Sequence, residues 1–186
     1  MMTSPFGVSD DETTNCMEDE KTMNAQDARG VADFLIAEFE GEMPTTLSVI
    51  EAATGNLAYQ PDAKSRSGLG LVRHIALEDE WLLNSVADGR FEPPPDDSDA
   101  CGIMGPADAI ARYRERVPKA LERVRAMSGE NLLKTIDLFG AIQAPGVNFL
   151  SMAVKHSVHH RGQLSAYLRA MGSKVPGIYG PSADTQ

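Results

Sequence analysis

Four segments of the chain repeat apolar side chains at steps of three and four residues, the spacing of one face of an α-helix. They lie at about 27–54, 69–88, 107–127 and 147–171. Loops that contain glycine and proline join them, so each segment is expected to end before the next begins. Four amphipathic helices bury their apolar faces most simply against one another. The sequence therefore predicts an all-α fold, a four-helix bundle.

The N-terminal segment differs in composition from the rest of the chain. Through residue 24 it carries six acidic residues and one lysine, a net charge of −5. That is half of the net charge of −10 carried by all 186 residues. Such a segment has too little apolar surface to offset the entropy lost on ordering. We therefore expect a disordered acidic tail at residues 1–26 and one bundle domain at residues 27–186.

The charge of the chain excludes several classes of partner. A nucleic-acid-binding protein normally shows a basic surface that neutralises phosphates, and an acidic chain is also poorly suited to anionic membranes. The N-terminus lacks the basic start and apolar stretch of a signal peptide, and no apolar run approaches the length of a membrane span. We expect a cytoplasmic protein that binds neither nucleic acid nor membrane and whose substrate is a small molecule.

Three of the four histidines lie within five residues of the last predicted helix. On that helix His160 lies about 40° from His156, and His159 about 60° to the other side, so either is within reach of a common point with His156. A histidine pair at positions i and i+4 is the arrangement that metalloproteases use to hold zinc. His74 would add a third ligand and leave one position open, as in catalytic zinc sites. Spacing does not choose between His159 and His160, and a buried polar network would give the same pattern.

The sequence around these histidines resembles a known family. The segment "HSVHHRGQLSAYLRAMG" is similar to the HxxxHRGQ signature of the DinB/YfiT-like superfamily of metalloenzymes, and "YQPDAKSRSGLGLVRHIALEDEW" matches its proline-containing loop followed by a helix with a histidine. The resemblance covers residues 29–185. It implies a four-helix bundle that binds a divalent metal, often nickel or zinc, through His74, His156 and His160, with His159 at the variable position of the motif.

Three further residues are candidates for a role beside the metal ligands. Gln163 matches the motif and lies about 20° from His156, where it would contact a ligand. Arg161 also matches the motif but is rotated by about 140°, so we expect a structural ion pair. Glu78 follows His74 by one turn, and it would act as a catalytic general base or orient that histidine.

The resemblance also suggests an activity. Characterised members of the family include transferases that use low-molecular-weight thiols such as bacillithiol or mycothiol, which implies that the metal ionises a thiol for attack on a small electrophile. With water in place of the thiol the same site would be a hydrolase, and a metal-binding stress or interaction protein without turnover is a third reading. The resemblance further suggests a homodimer. We expect loops 55–68 and 89–106 to build the substrate pocket.

Overall fold

The structure is a computed structural model that describes residues 22–186. Of the predicted tail, residues 1–21 lie outside the described residues. The elements in chain order are helix α1 at Ala25–Ala52, α2 at Gly68–Asp88, α3 at Pro106–Arg125, α4 at Gly129–Leu133, strands β1 at Thr135–Leu138 and β2 at Ile142–Pro145, and helix α5 at Gly146–Leu168. The four long helices lie within one to three residues of their predicted bounds. The all-α fold, a four-helix bundle, is therefore confirmed.

The four long helices pack as a closed ring in the order α1, α5, α2, α3 and back to α1. Helices α1 and α2 are consecutive in the chain but thus stand across the bundle from each other. Helix α2 instead packs beside α5, the last helix of the chain. The apolar side chains that recur at helical spacing along α2 are buried in the core; they are Leu71, Val72, Ile75, Leu82 and Val86. This order brings the only two helices that carry histidines side by side.

Side-chain caps define where the helices begin. The Asn24 side chain accepts a hydrogen bond from the amide of Asp27, and the Asp27 carboxylate accepts one from the amide of Asn24, which is a complete capping box. Ser67 caps α2 through the amide of Gly70. Gly89 ends α2 with a φ of 68°, a left-handed conformation that glycine adopts without strain. These caps fix α2 at both ends and so fix the height of His74 in the bundle.

The segment at residues 132–142 is undecided from sequence, since it fits a strand pair or irregular chain equally well. In the structure it forms the end of α4 and the antiparallel hairpin of β1 and β2, with Ile136 opposite Ala144. The turn places both Phe139 and Gly140 at positive φ, 52° and 75°. That is the backbone of a primed hairpin turn.

The long loop between α2 and α3 is fastened to α2. The guanidinium of Arg73, which is buried, donates to the carbonyl of Ile103 at 2.7 Å and to the carboxylate of Asp99 at 2.7 Å. The indole of Trp81 donates to the carbonyl of Glu92 at 3.0 Å. The loop is therefore held beside the helix that carries His74.

Within residues 22–186, no helix has the length and apolar character needed to cross a membrane.

Candidate metal centre

One ring nitrogen from each of His74, His156 and His160 lies within 4.8 Å of the other two. The Nε2 atoms of His74 and His160 are 3.1 Å apart. Two imidazole nitrogens bound to one tetrahedral zinc at about 2.0–2.1 Å would be separated by about 3.3 Å. The spacing of this pair is therefore close to that of two ligands of one cation. The three residues are those that the resemblance implies, and their role as ligands stays a prediction.

The three rings occupy the edge of the core. His74 is buried, with 8% of its surface exposed, and His156 and His160 are half-buried. Burial lowers the pKa of His74 to about 3, and the neighbouring charges of Arg66, His160 and His156 act in the same direction. Burial also lowers the pKa of His160 to about 4. Both rings are therefore neutral at pH 7, the form in which an imidazole binds a metal ion.

Two polar side chains face the remaining nitrogens of His160 and His74. The amide oxygen of Gln163 lies 3.1 Å from Nδ1 of His160, so this ring donates its Nδ1–H and keeps Nε2 free of a proton. Oε1 of Glu78 lies 3.9 Å from Nδ1 of His74. Since Nδ1 is on the side of the ring away from Nε2, this position supports orientation of His74 better than general-base catalysis. Burial raises the pKa of the Glu78 carboxyl.

A residue that sequence reasoning missed lies beside the third histidine. Oδ1 of Asp79 is 3.6 Å from Nδ1 of His156, and Asp79 is completely buried. Asp79 is the middle member of three consecutive acidic residues, a pattern typical of a solvated helix face. No signal in the sequence distinguishes it from Glu78 and Glu80. Only its position in the bundle does so.

The two other motif residues lie outside the cluster. His159 is exposed, and its ring stacks edge-on against that of His160 with centroids 4.7 Å apart. Arg161 is 1% exposed and forms an ion pair with Glu42 of α1, as expected. It also donates to the hydroxyl of Tyr179 and to that of Thr46. Arg161 thus joins α5 to α1 and to the C-terminal segment.

An ion pair between the two predicted pocket loops lies near the histidines. Arg66, in the first loop, donates to the carboxylate of Asp97 in the second. The stem of Arg66 passes over Gly70, where an added Cβ would lie 3.5 Å from Cβ of Arg66. Gly70 precedes His74 by one helical turn, and the positive charge of Arg66 contributes to the lowered pKa of His74. Both side chains are partly exposed.

A well-formed cleft of the bundle lies away from the cluster. It has a volume of about 440 Å³ and is lined mostly by apolar side chains, among them Leu57 from the first loop and Pro106 and Ile110 from the start of α3. None of the three clustered histidines lines it. This cleft is built mainly by the end of α1 and the start of α3. A substrate pocket built by loops 55–68 and 89–106 therefore stays a prediction, and the chemistry of the histidine cluster identifies the candidate site.

Comparisons with known proteins agree with this fold. The model of the DinB family matches residues 23–186. The protein YrdA of Bacillus subtilis is 24% identical over 153 residues, which is 82% of this chain and 90% of YrdA.

Two solved structures show the same fold. The crystal structure of a DinB-like protein from Bacillus cereus superposes with a TM-score of 0.65 at 20% identity, over 79% of this chain and 97% of that one. YfiT of B. subtilis, described as a probable metal-dependent hydrolase with an unusual four-helix bundle topology, gives 0.62 at 15% identity, over 83% and 93%. The family match extends over nearly all of the described residues, and the chain belongs to the DinB family.

Proposed function

We propose that this chain is a divalent-metal-dependent enzyme that activates a small nucleophile against a small-molecule substrate. The observation that supports it best is the approach of three imidazole nitrogens to within 4.8 Å of one another, on two adjacent helices. Three protein ligands leave a cation with an open position, which is the arrangement of catalytic rather than structural sites. The description of YfiT as a probable metal-dependent hydrolase supports the same class of activity.

The donor set fits a divalent cation such as nickel or zinc, the two metals that the resemblance suggests. All three donors are imidazoles, and those of His74 and His160 are neutral at pH 7 because burial lowers their pKa. Imidazole is a ligand that suits zinc and nickel. When bound, such a cation supplies a Lewis acid that lowers the pKa of a small nucleophile.

The nucleophile that we propose first is a low-molecular-weight thiol, on the resemblance to thiol-dependent transferases. The thiol loses its proton to solvent, its sulfur forms a bond to an electrophilic carbon, and the bond from that carbon to the leaving group breaks. The protein contributes position: His74, His156 and His160 hold the cation, and Gln163 fixes the ring of His160. A homodimer, also expected from the resemblance, stays a prediction.

A hydrolase is the second candidate, and one observation favours it. Burial raises the pKa of the Glu78 carboxyl, which brings it nearer to the range in which a general base works at neutral pH. Glu78 follows His74 by one helical turn, and its Oε1 lies 3.9 Å from Nδ1 of that ring. In this case water takes the place of the thiol.

The experiment that tests the proposal is a titration of the cobalt-substituted protein with several low-molecular-weight thiols. For a thiol transferase we expect a sulfur-to-metal charge-transfer band, and turnover of epoxides or halogenated aromatics that requires both metal and thiol. Ester or amide turnover with metal and without thiol would support the hydrolase instead. A protein that binds cobalt but shows neither band nor turnover would contradict the enzymatic proposal and favour a metal-binding protein without catalysis.

A pair of variants on α2 separates the two roles of Glu78. Glu78→Gln should lower turnover by roughly 10²- to 10⁴-fold at unchanged metal content if Glu78 is a general base. If it only orients His74, the metal affinity should fall instead, by roughly 10- to 100-fold. Glu80→Gln is the matched control, because Glu80 lies on the same helix as Glu78 but makes its ion pair with Arg112 of α3, at 2.7 Å.

A further inference from the structure

A buried carboxylate lies at the centre of the bundle, at the point where the four long helices meet. Asp79 of α2 is 0% exposed. Its Oδ2 accepts a hydrogen bond from the hydroxyl of Ser157 of α5 at 2.7 Å and one from the hydroxyl of Tyr113 of α3 at 3.0 Å. Thr46 of α1 continues the network, with its hydroxyl 3.5 Å from that of Ser157. Each of the four long helices therefore contributes at least one side chain to the network that includes this carboxylate.

The other oxygen of Asp79 is not used in this network. Among the described residues, Oδ1 of Asp79 has no hydrogen-bond partner, although it is fully buried. Nδ1 of His156 is likewise buried and unpartnered. The two atoms face each other at 3.6 Å. A buried polar atom without a partner is unfavourable. A small decrease of this distance would let Nδ1 of His156 donate a hydrogen bond to Oδ1 of Asp79 and satisfy both atoms.

We propose that Asp79 is a positioning residue for the metal site, which accepts the Nδ1–H of His156 and so holds this ring with Nε2 unprotonated and directed to the cation. A carboxylate that accepts from the far nitrogen of a ligating histidine fixes both its tautomer and its orientation. The role of Asp79 in metal binding rests on the proposed function. The Nδ1–H tautomer of His156 that the inference requires exists in the metal-free protein too.

The contacts of Asp79 with the two hydroxyls explain why the carboxylate stays in place. Ser157 and Tyr113 both donate to Oδ2, which leaves Oδ1 as the acceptor on the side of His156. In Asp79→Asn the two hydroxyl donors retain the amide oxygen, and the amide NH₂ turns towards Nδ1 of His156. That ring must then accept at Nδ1 and carry its proton on Nε2, where the proton competes with a metal ion.

The decisive measurement is the tautomer of His156 in the metal-free protein, from two-bond ¹⁵N–¹H correlations of ¹⁵N-labelled histidine at pH 8. The wild type should show His156 protonated on Nδ1, and Asp79→Asn should shift it to Nε2. An Nε2–H tautomer in the wild type would overturn the proposal, whether or not the protein binds metal. The Nδ1–H tautomer in a protein that binds no metal would leave the Asp79 assignment intact and refute the proposed function instead.

Metal affinity gives the second measurement, by competition with a chelator for Zn²⁺. Asp79→Asn should bind zinc roughly 10- to 100-fold more weakly than the wild type. Tyr113→Phe is the matched control, because it removes a donor to Oδ2 but leaves the oxygen that faces His156. It should retain the wild-type affinity within about threefold and the Nδ1–H tautomer. Equal losses of affinity in both variants would show that Asp79 acts only through the stability of the core and would overturn the proposal.

Discussion

The Nε2 atoms of His74 and His160 lie 3.1 Å apart, although the residues stand on different helices and are separated by 86 positions of the chain. Helices α2 and α5 are neighbours in the bundle, and the contact between them holds the two rings together. Two neutral rings at this distance satisfy both nitrogens by sharing one proton or one cation. The arrangement explains why histidine, scarce elsewhere in this chain, is concentrated at this contact.

Burial of these rings makes the stability of the metal-free protein depend on pH. The pKa is lowered to about 3 for His74 and about 4 for His160, whereas a histidine in the unfolded chain has a pKa of about 6.5. Between these values the unfolded chain binds more protons than the native protein, so the free energy of unfolding falls as the pH falls from about 6.5 towards 4. Urea unfolding at several pH values measures it.

Two variants isolate this contribution from that of the carboxyl groups. His160→Ala should show a shallower loss of stability between pH 6.5 and 4 than the wild type, because one of the shifted rings is gone. His159→Ala removes an exposed ring instead and should keep the wild-type slope. Equal slopes in His160→Ala and the wild type would contradict the effect of burial. For histidines with an ordinary pKa, the sequence alone predicts that metal affinity falls below a pH of about 6.5. Because the pKa values of His74 and His160 are lowered to about 3 and about 4, protons compete with the metal at these two rings only as the pH approaches 4.

The second prediction concerns the ion pair that joins α5 to α1. Arg161→Met leaves the half-buried Glu42 carboxylate without its positive partner, with the Tyr179 hydroxyl still donating to it, and removes the hydrogen bond from Arg161 to Tyr179. The free energy of unfolding should fall by about 3 kcal/mol, the lower part of the range for breaking a buried pair, because Glu42 keeps some contact with water. Urea denaturation measures it.

Arg169→Met is the matched control for this variant. Arg169 lies just after the end of α5 and pairs with Asp184 of the C-terminal segment, and its side chain is 57% exposed. An exposed pair of this kind contributes little, so the urea midpoint should stay close to that of the wild type. Similar losses in both variants would contradict the structural role that we give to Arg161.

The third prediction concerns the start of the domain. Deletion of residues 1–21 should leave the melting temperature unchanged, because the acidic segment has little apolar surface to contribute. Asn24→Ala removes the cap of α1 and should lower the stability by about 1 kcal/mol. Thermal unfolding compares the two. If the deletion variant melts at a lower temperature than Asn24→Ala, the expectation of a dispensable tail is wrong.

The four long helices and the histidines on them were predictable because their signal is local. Periods of three and four residues define a helix face, and the spacing from His156 to His160 is already a distance on that face. The choice of His160 over His159 needed more than spacing, since both lie near His156 on the helix. The structure places His160 in the cluster and leaves His159 exposed.

Asp79 and the hairpin were not predictable because their signals are not local. Asp79 has acidic neighbours on both sides, and only the packing of four helices determines that it alone of the three is fully buried. The hairpin turn holds Phe139 at a positive φ, where asparagine, aspartate or glycine is the usual residue. Phe139 therefore gives no turn signal, although Gly140 follows it. In both places the tertiary structure decides.

The most direct test of the metal site is the metal content of the purified protein, by elemental analysis of the wild type, His160→Ala and His159→Ala. The account predicts one divalent ion per chain in the wild type and in His159→Ala. It predicts the loss of most of that ion in His160→Ala, because the two remaining ligands, His74 and His156, would hold the ion only weakly. Retention of a full equivalent in His160→Ala, or its loss in His159→Ala instead, would contradict the assignment of His74, His156 and His160 as the metal centre.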